Sequence, residues 1–160
     1  MEWVSCKKIA TALDLRCGYL HGEFFIQPNG EFVMSEVAAR LSGCEAPLNH
    51  AYAYGFDFLN AIMDTYIGRT PVLQYTQDRA VGDLLLPVKK GKVTAISSRE
   101  ELLRLDGVIA CTLNFREGEV IIPKRASGFC SGYLQVEGRN SQEVEERMHT
   151  ILNVFKLEVE

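Results

Sequence analysis

Apolar residues at helical spacing open the chain: Cys6, Ile9, Ala10 and Leu13 in "WVSCKKIATALDL" fall on one face of a predicted amphipathic helix. Gly18 marks a change of element. "YLHGEFFIQ" and "EFVMSEV" then read as two strands joined through Pro28-Asn29-Gly30, a strong hairpin signal. After the loop "RLSGCEAPLNH", helical segments are predicted over 47–54 and 57–67, with Asp57 placed to cap the second and Gly68 to end it before Pro71. "YTQDRAVGD" reads as a connection. Beyond it the pattern turns β-rich in "LLLPVKKGKVTAI", "GVIACTLNF", "GEVIIP" and "GFCSGYLQVEG", with Gly91, Gly118 and Gly128 at turn positions. Two helices punctuate this half. Ser98-Arg99-Glu100-Glu101 is a capping box opening a helix through Arg104, and Asn140 with Glu143 opens the last one. Val144, Met148, Ile151, Leu152 and Phe155 give that last helix a single apolar face. No internal repeat or low-complexity segment interrupts the pattern.

These elements predict an α+β fold in two lobes, residues 1–75 and 76–160, with the seam near 75–82. A chain of 160 residues is long enough to bury a real core, and 47% hydrophobic with 24% charged residues is ordinary for a globular protein. A net charge of −4, with no gathering of Lys and Arg, argues against a nucleic-acid partner. No apolar run reaches the length of a membrane span, and "MEWVSCKKIA" lacks the basic-then-apolar order of a signal peptide. Five cysteines, with no CxxC pair and no histidine at zinc-ligand spacing, read as reduced thiols of a cytoplasmic protein, each a small core residue.

The candidate chemistry lies in the hairpin. A two-residue Asn29-Gly30 turn would set Pro28 opposite Glu31 and, counting back along both arms, Glu23 directly opposite Glu36 on one face. Directly opposed like charges are destabilising, and a divalent cation between them reverses the sign, because hard cations take carboxylate oxygens. That is the reason to suspect Mg²⁺ or Mn²⁺. A three-residue Pro28-Asn29-Gly30 loop would instead send the two glutamates to opposite faces unless a further bulge restored them. On spacing alone, two solvated glutamates remain the competing reading. Arg40 follows Glu36 by four residues and leads into a glycine loop, an arrangement suited to phosphate or carboxylate oxygens; its plainer alternative is an ion pair with one of the glutamates. His21 shares the face of Glu23 and reads as structural, while His50 and His149 carry no readable chemistry.

"GYLHGEFFIQPNGEFVMSEVAARLSG" resembles the metal-binding hairpin of the ATP-grasp superfamily, in which a glutamate on one strand precedes an E-x-N-x-R-x-G-G-like stretch on the next. "AYGFDF" is similar to the family's "tGvDl" helix start. The β-rich remainder through "GYLQVEGRNSQEVEERM" resembles the C-terminal subdomain of carboxylate–amine ligases of this type, L-amino acid ligases and biotin carboxylase-like proteins among them. The resemblance covers nearly the whole chain. It implies the C-terminal part of an ATP-grasp fold: an antiparallel sheet with packed helices over 1–75, then a β-rich subdomain over 76–160. It further implies that Glu23 and Glu36 hold the magnesium ions that bridge ATP phosphates. Arg40 would steady the acyl-phosphate transition state, and Gly43 would belong to the substrate-side glycine loop.

Two departures stand out. Ala38 occupies the place of the family's metal-ligating asparagine, and Ser42-Gly43-Cys44 replaces two adjacent glycines. The family's N-terminal part, with its phosphate-binding lysines, would precede the opening helix, so a fragment of a longer ligase is expected. Such a fragment would need that N-terminal portion as partner to use ATP with Mg²⁺ or Mn²⁺. Its substrate would be a small carboxylate, amino acids included, joined to an amine or thiol, and bared apolar surface would favour self-association. The alternatives are a non-catalytic interaction or scaffold domain that keeps the fold, and a small carboxylate-binding module.

Overall fold

The computed structural model describes residues 3–43, 45–126 and 128–160, the side chains of residues 3–6 excepted. The expectation of a small buried thiol therefore lies outside the described residues for Cys44 and for the side chain of Cys6. Of the other cysteines, Cys111 and Cys130 are buried and Cys17 is exposed, all three as free thiols.

The chain divides into two units, one made of Met1–Gly43 with Phe56–Gln74 and the other of Cys44–Gly55 with Tyr75–Glu160. The first unit contains helix α1 (Trp3–Ala12), strands β1 (His21–Ile26) and β2 (Phe32–Ala38), and helix α3 (Phe58–Tyr66). The β1–β2 pair is an antiparallel two-stranded sheet. Asp57 caps α3 as its position predicts, its side chain accepting from Asn60 N–H at 3.0 Å. Gly68 follows the C-cap residue Ile67 at φ +75°, where a side chain would be strained. Packing in this unit is thin: Phe58, Ala61 and Ile62 on α3 are buried, and Tyr19 meets Phe58 edge to face at 5.7 Å.

The second unit contains α2 (Ala46–Tyr54) and then β3 (Ala80–Leu86), β4 (Gly91–Ile96), α4 (Arg99–Leu102), β5 (Val108–Leu113), β6 (Val120–Ile121), β7 (Gly132–Gly138), α5 (Ser141–Val154) and β8 (Leu157–Val159). They form two three-stranded antiparallel sheets, in the orders β3-β7-β5 and β6-β4-β8. Helix α5 packs on the first sheet, burying Val144 and Ile151 against Leu84, Leu86, Leu134 and Val136. Val93, Ile121 and Leu157 are the buried centre of the second. Both predicted caps form. Ser98 and Glu101 exchange hydrogen bonds as a capping box, and Asn140 Oδ1 accepts from Glu143 N–H at 2.9 Å.

Two elements differ from the pattern reading. Strand β3 begins inside the segment read as a connection, because Ala80, Val81 and Gly82 pair with Gly138, Glu137 and Val136. Small residues at these positions give little strand signal, yet Gly82 lets α5 approach: a β-carbon there would stand 3.2 Å from Val144 Cγ1. Strand β8 has only three residues and exists through its partner β4, clamped by two bonds between Ser97 and Lys156 at 2.9 and 3.1 Å.

Helix α2 gains its place from a distant segment. The carbonyls of Tyr52, Ala53, Tyr54 and Gly55, which a helix end leaves without partners, accept from residues 76–79.

Candidate functional site

The hairpin takes the second of the two expected forms, the three-residue loop with a further bulge along its arms. Gln27 N–H donates to Glu31 O and Gly30 N–H to Gln27 O, both at 2.8 Å, so Pro28, Asn29 and Gly30 form a three-residue loop. Proline's fixed φ suits the first corner, and Gly30 at φ +84° closes the loop. Asn29 Oδ1 accepts from Glu31 N–H at 3.0 Å and holds it. The two-residue Asn29-Gly30 turn is therefore not used, and Ile26, Phe25 and Phe24 pair with Phe32, Val33 and Met34.

In that register Glu36 would miss Glu23. A register shift between Glu23 and Phe24 corrects it, leaving Ser35 as the unopposed residue, and from there Glu23 pairs with Glu36 and Gly22 with Val37. The two carboxylate-bearing positions are thus directly opposed and share one face of the ribbon, both exposed to solvent.

Arg40 lies just past β2. Its Nη2 stands 3.9 Å from Glu36 Oε1, while Nη1 donates to Leu41 O at 2.8 Å. The plainer reading of Arg40 as an ion-pair partner of a glutamate is thus met. With side chains 57% and 60% exposed, the pair contributes only about 0–1 kcal/mol, too little to explain the arrangement by stability. Gly43 is exposed in a bend, and a β-carbon there would meet nothing within 4 Å, so packing does not demand glycine. Ala38 is opposite His21 and offers no ligating oxygen. Among the described residues no group of three His, Cys, Asp or Glu side chains is gathered tightly enough to hold a metal ion alone.

Polar constellations that spacing did not reveal lie in the second unit. Arg79 pairs with Glu137, and Arg147 reaches Asp106 at 2.9 Å, Glu143 at 3.3 Å and the Glu137 carbonyl at 2.6 Å. Every one of these contacts except the helical Glu143–Arg147 pair joins separate elements, so no local pattern signals them.

Comparison with known proteins places this architecture. The chain superposes over 100% of its length on an L-amino acid ligase from Bacillus licheniformis, with a TM-score of 0.75 and 18% identity, covering 44% of that chain. It superposes over 98% of its length on a phosphoribosylglycinamide synthetase from Anaerococcus prevotii, with a TM-score of 0.78 and 17% identity, covering 41% of that chain. The fold is that of the C-terminal part of ATP-grasp ligases. Within that class, residues 84–160 match the family described as L-amino acid ligase C-terminal domain 2. An L-arginine-specific L-amino acid ligase of Bacillus subtilis is 24% identical over 152 residues, which make up 94% of this chain and 37% of that protein. The chain thus spans less than half the length of these relatives. Among its described residues no helix is long and apolar enough to cross a membrane.

Proposed function

We propose that this chain supplies the metal-binding and substrate-side part of an ATP-dependent carboxylate–amine ligase, working with an N-terminal ATP-grasp portion. Residues 1–75 complete the ATP-grasp core and 76–160 form its C-terminal subdomain. The observation that carries the reading is Glu23 directly opposite Glu36, with the Arg40 guanidinium beside Glu36.

The donor set suits magnesium. Two exposed carboxylates give hard oxygen ligands while leaving positions for water and phosphate oxygens, which Mg²⁺ prefers to an all-protein cage. Ala38 contributes no oxygen, so Glu23 and Glu36 would share that role alone. Bound there, magnesium would supply the positive charge that offsets ATP's phosphates as a carboxylate attacks the γ-phosphorus. Arg40 places fixed positive charge where negative charge gathers during that transfer, the need of any phosphoryl-transfer site. Gly43 would belong to the substrate-side glycine loop, where a small carboxylate, an amino acid in this reading, would bind. Attack by that carboxylate would release ADP, and the amine would then attack the carbonyl carbon of the acyl phosphate and release inorganic phosphate.

Ala38 favours a second reading, a non-catalytic scaffold that keeps the fold, and one pair of measurements separates the two. Mn²⁺ binding to the chain, read by electron paramagnetic resonance, is expected to weaken about tenfold or more in Glu36→Ala, the loss of one of two carboxylate ligands. Joined to the N-terminal portion of the Bacillus subtilis relative, the chain is expected to support Mg²⁺-dependent ATP turnover, lowered about 100-fold in Arg40→Ala. Unchanged Mn²⁺ affinity in Glu36→Ala rejects the metal site. Binding without turnover favours the scaffold.

A further inference from the structure

Two connections link the two sheets of the second unit, and they run side by side. Residues 87–90 lead from β3 to β4, and residues 122–131 lead from β6 to β7. At one end Leu86 pairs with Gly132, while Ser131 N–H donates to Leu86 O at 3.1 Å and Ser131 Oγ to Pro87 O at 2.6 Å. At the other end Gly91 pairs with Ile121. Both connections therefore span the same gap, which the shorter one, from Leu86 to Gly91, limits to about 18 Å.

The shorter connection is Pro87-Val88-Lys89-Lys90, the longer one carries Lys124 and Arg125, and neither contains an acid. All four cations are exposed, and none has an ion-pair partner among the described residues. Lys92, the next cation along β4, is by contrast paired with Glu160 at 3.2 Å. In a chain of net charge −4 the fold thus gathers positive charges that lie far apart in the sequence.

A second observation comes from β6. Val120 pairs with Lys92, so both stand on the face of the ladder opposite the buried Val93 and Ile121. Val120 is 62% exposed, and Ile122, two residues before Lys124, is 69% exposed. Two large aliphatic side chains are thus bare beside the cations. Phe129, the aromatic of the longer connection, is half-buried edge to face against Phe115 at 6.1 Å, so neither connection offers a bare ring on which a nucleic-acid base would stack. Glu117 and Glu119 precede Val120, and Glu160 neutralises Lys92, so acids bound the patch and keep it small for a bilayer or a long polyanion.

We propose that this corner of the second unit docks a short acidic segment of another protein, one that carries aliphatic side chains among its carboxylates. The carboxylates meet Lys89, Lys90, Lys124 and Arg125, and the aliphatic side chains cover Val120 and Ile122. A segment of about five extended residues matches the span of the two connections. The surface belongs to residues 76–160 and uses none of Glu23, Glu36 and Arg40, so it stands whether or not the hairpin binds metal.

The probe is acetyl-Glu-Leu-Asp-Glu-Leu-Glu-amide, titrated into the nitrogen-15-labelled chain and read by amide shifts. The amides of Lys89, Lys90, Val120, Ile122, Lys124 and Arg125 are expected to move, and added salt to weaken the binding. The lysine counterpart of the peptide is expected to move none of them, and replacing both its leucines by serine to weaken binding about threefold. Lys89→Glu together with Lys124→Glu, both at exposed positions, is expected to weaken binding about tenfold or more with the circular dichroism spectrum unchanged. Ile122→Ser is expected to weaken it about threefold. Should the double variant fail to fold, the lysine and serine peptides carry the same test from the ligand's side. Unmoved amides at millimolar peptide, equal binding by the folded double variant, or equal binding of the serine peptide each overturn the proposal. So does tighter binding of ten-nucleotide oligothymidylate or of phosphatidylserine vesicles than of the peptide, or occlusion of the patch by self-association.

Discussion

In the second unit Leu86, Leu102 and Ile151 keep 1% of their surface exposed and Leu134 none, whereas in the first Phe25 and Ile26 on β1 keep 66% and 69%. Both sets come from apolar stretches of similar strength in the sequence. The difference lies in what each stretch meets. Strand β7 is central, flanked by β3 and β5 and covered by α5, so Leu134 and Val136 are enclosed on every side. The β1–β2 ribbon has only two strands, and a two-stranded ribbon cannot bury its own faces. Helix α3 repeats the contrast, burying Phe58, Ala61 and Ile62 while Leu59, Met63, Tyr66 and Ile67 stay exposed on its other side. The second unit therefore has its own core. The first presents apolar side chains of the kind that mark an interaction surface, as expected if an N-terminal ATP-grasp portion covers it.

The largest expected effect tests the core side of that comparison. Leu134→Ala empties a fully enclosed site and should lower stability by about 2–5 kcal/mol in urea unfolding. Hydrogen exchange should sharpen the contrast, with β7 amides exchanging only on global unfolding and β1–β2 amides far earlier. A loss under 1 kcal/mol in Leu134→Ala, or equal protection of both regions, would break the distinction.

A smaller effect comes from the cap of α4. Glu101 accepts from Ser98 N–H at 2.8 Å and Oγ at 3.1 Å, and these bonds, the backbone one foremost, hold its carboxyl below the usual glutamate range. A depressed folded value means the contribution is present above the unfolded glutamate pKa and is lost as pH falls through the folded one. Ser98→Ala should cost about 1 kcal/mol at neutral pH, as loss of an N-cap does. It should also raise the Glu101 pKa, read by carbon-13 NMR of that side chain, with a smaller stability difference in acid. Glu143 follows the same sign, held low first by its side-chain bond to Arg139.

What the sequence disclosed follows the range of the forces involved. Caps at Asp57, Ser98 and Asn140 were legible because each is a bond across three residues. The Pro28-Asn29-Gly30 hairpin was legible for the same reason, but its register was not. That register depends on a loop of three residues and a compensating bulge at Ser35, and hydrophobic alternation does not report a bulge. Strand β8 and the start of β3 were missed because their strand character comes from partners tens of residues away. At the candidate site, the residue types and the facing of Glu23 and Glu36 could be argued from spacing. The bond from Arg40 to the Leu41 carbonyl could not, because it exists only once the chain has turned out of β2.

The smallest expected change in stability falls on the hairpin and tests the other side of the comparison. Phe25 pairs with Val33 on β2, and both are exposed, so Phe25→Ser removes little packing and should shift stability by no more than about 0.5 kcal/mol. Its effect should appear in association instead. If the exposed ribbon is sticky because it is meant to be covered, Phe25→Ser together with Ile26→Thr should lower self-association in light scattering while leaving the unfolding midpoint in place. The same pair should weaken assembly with an N-terminal ATP-grasp portion, since those side chains would then be interface rather than surface. A chain whose association is unchanged by both substitutions would mean that exposure on β1 carries no partner, and the contrast between the units would reduce to one of size alone.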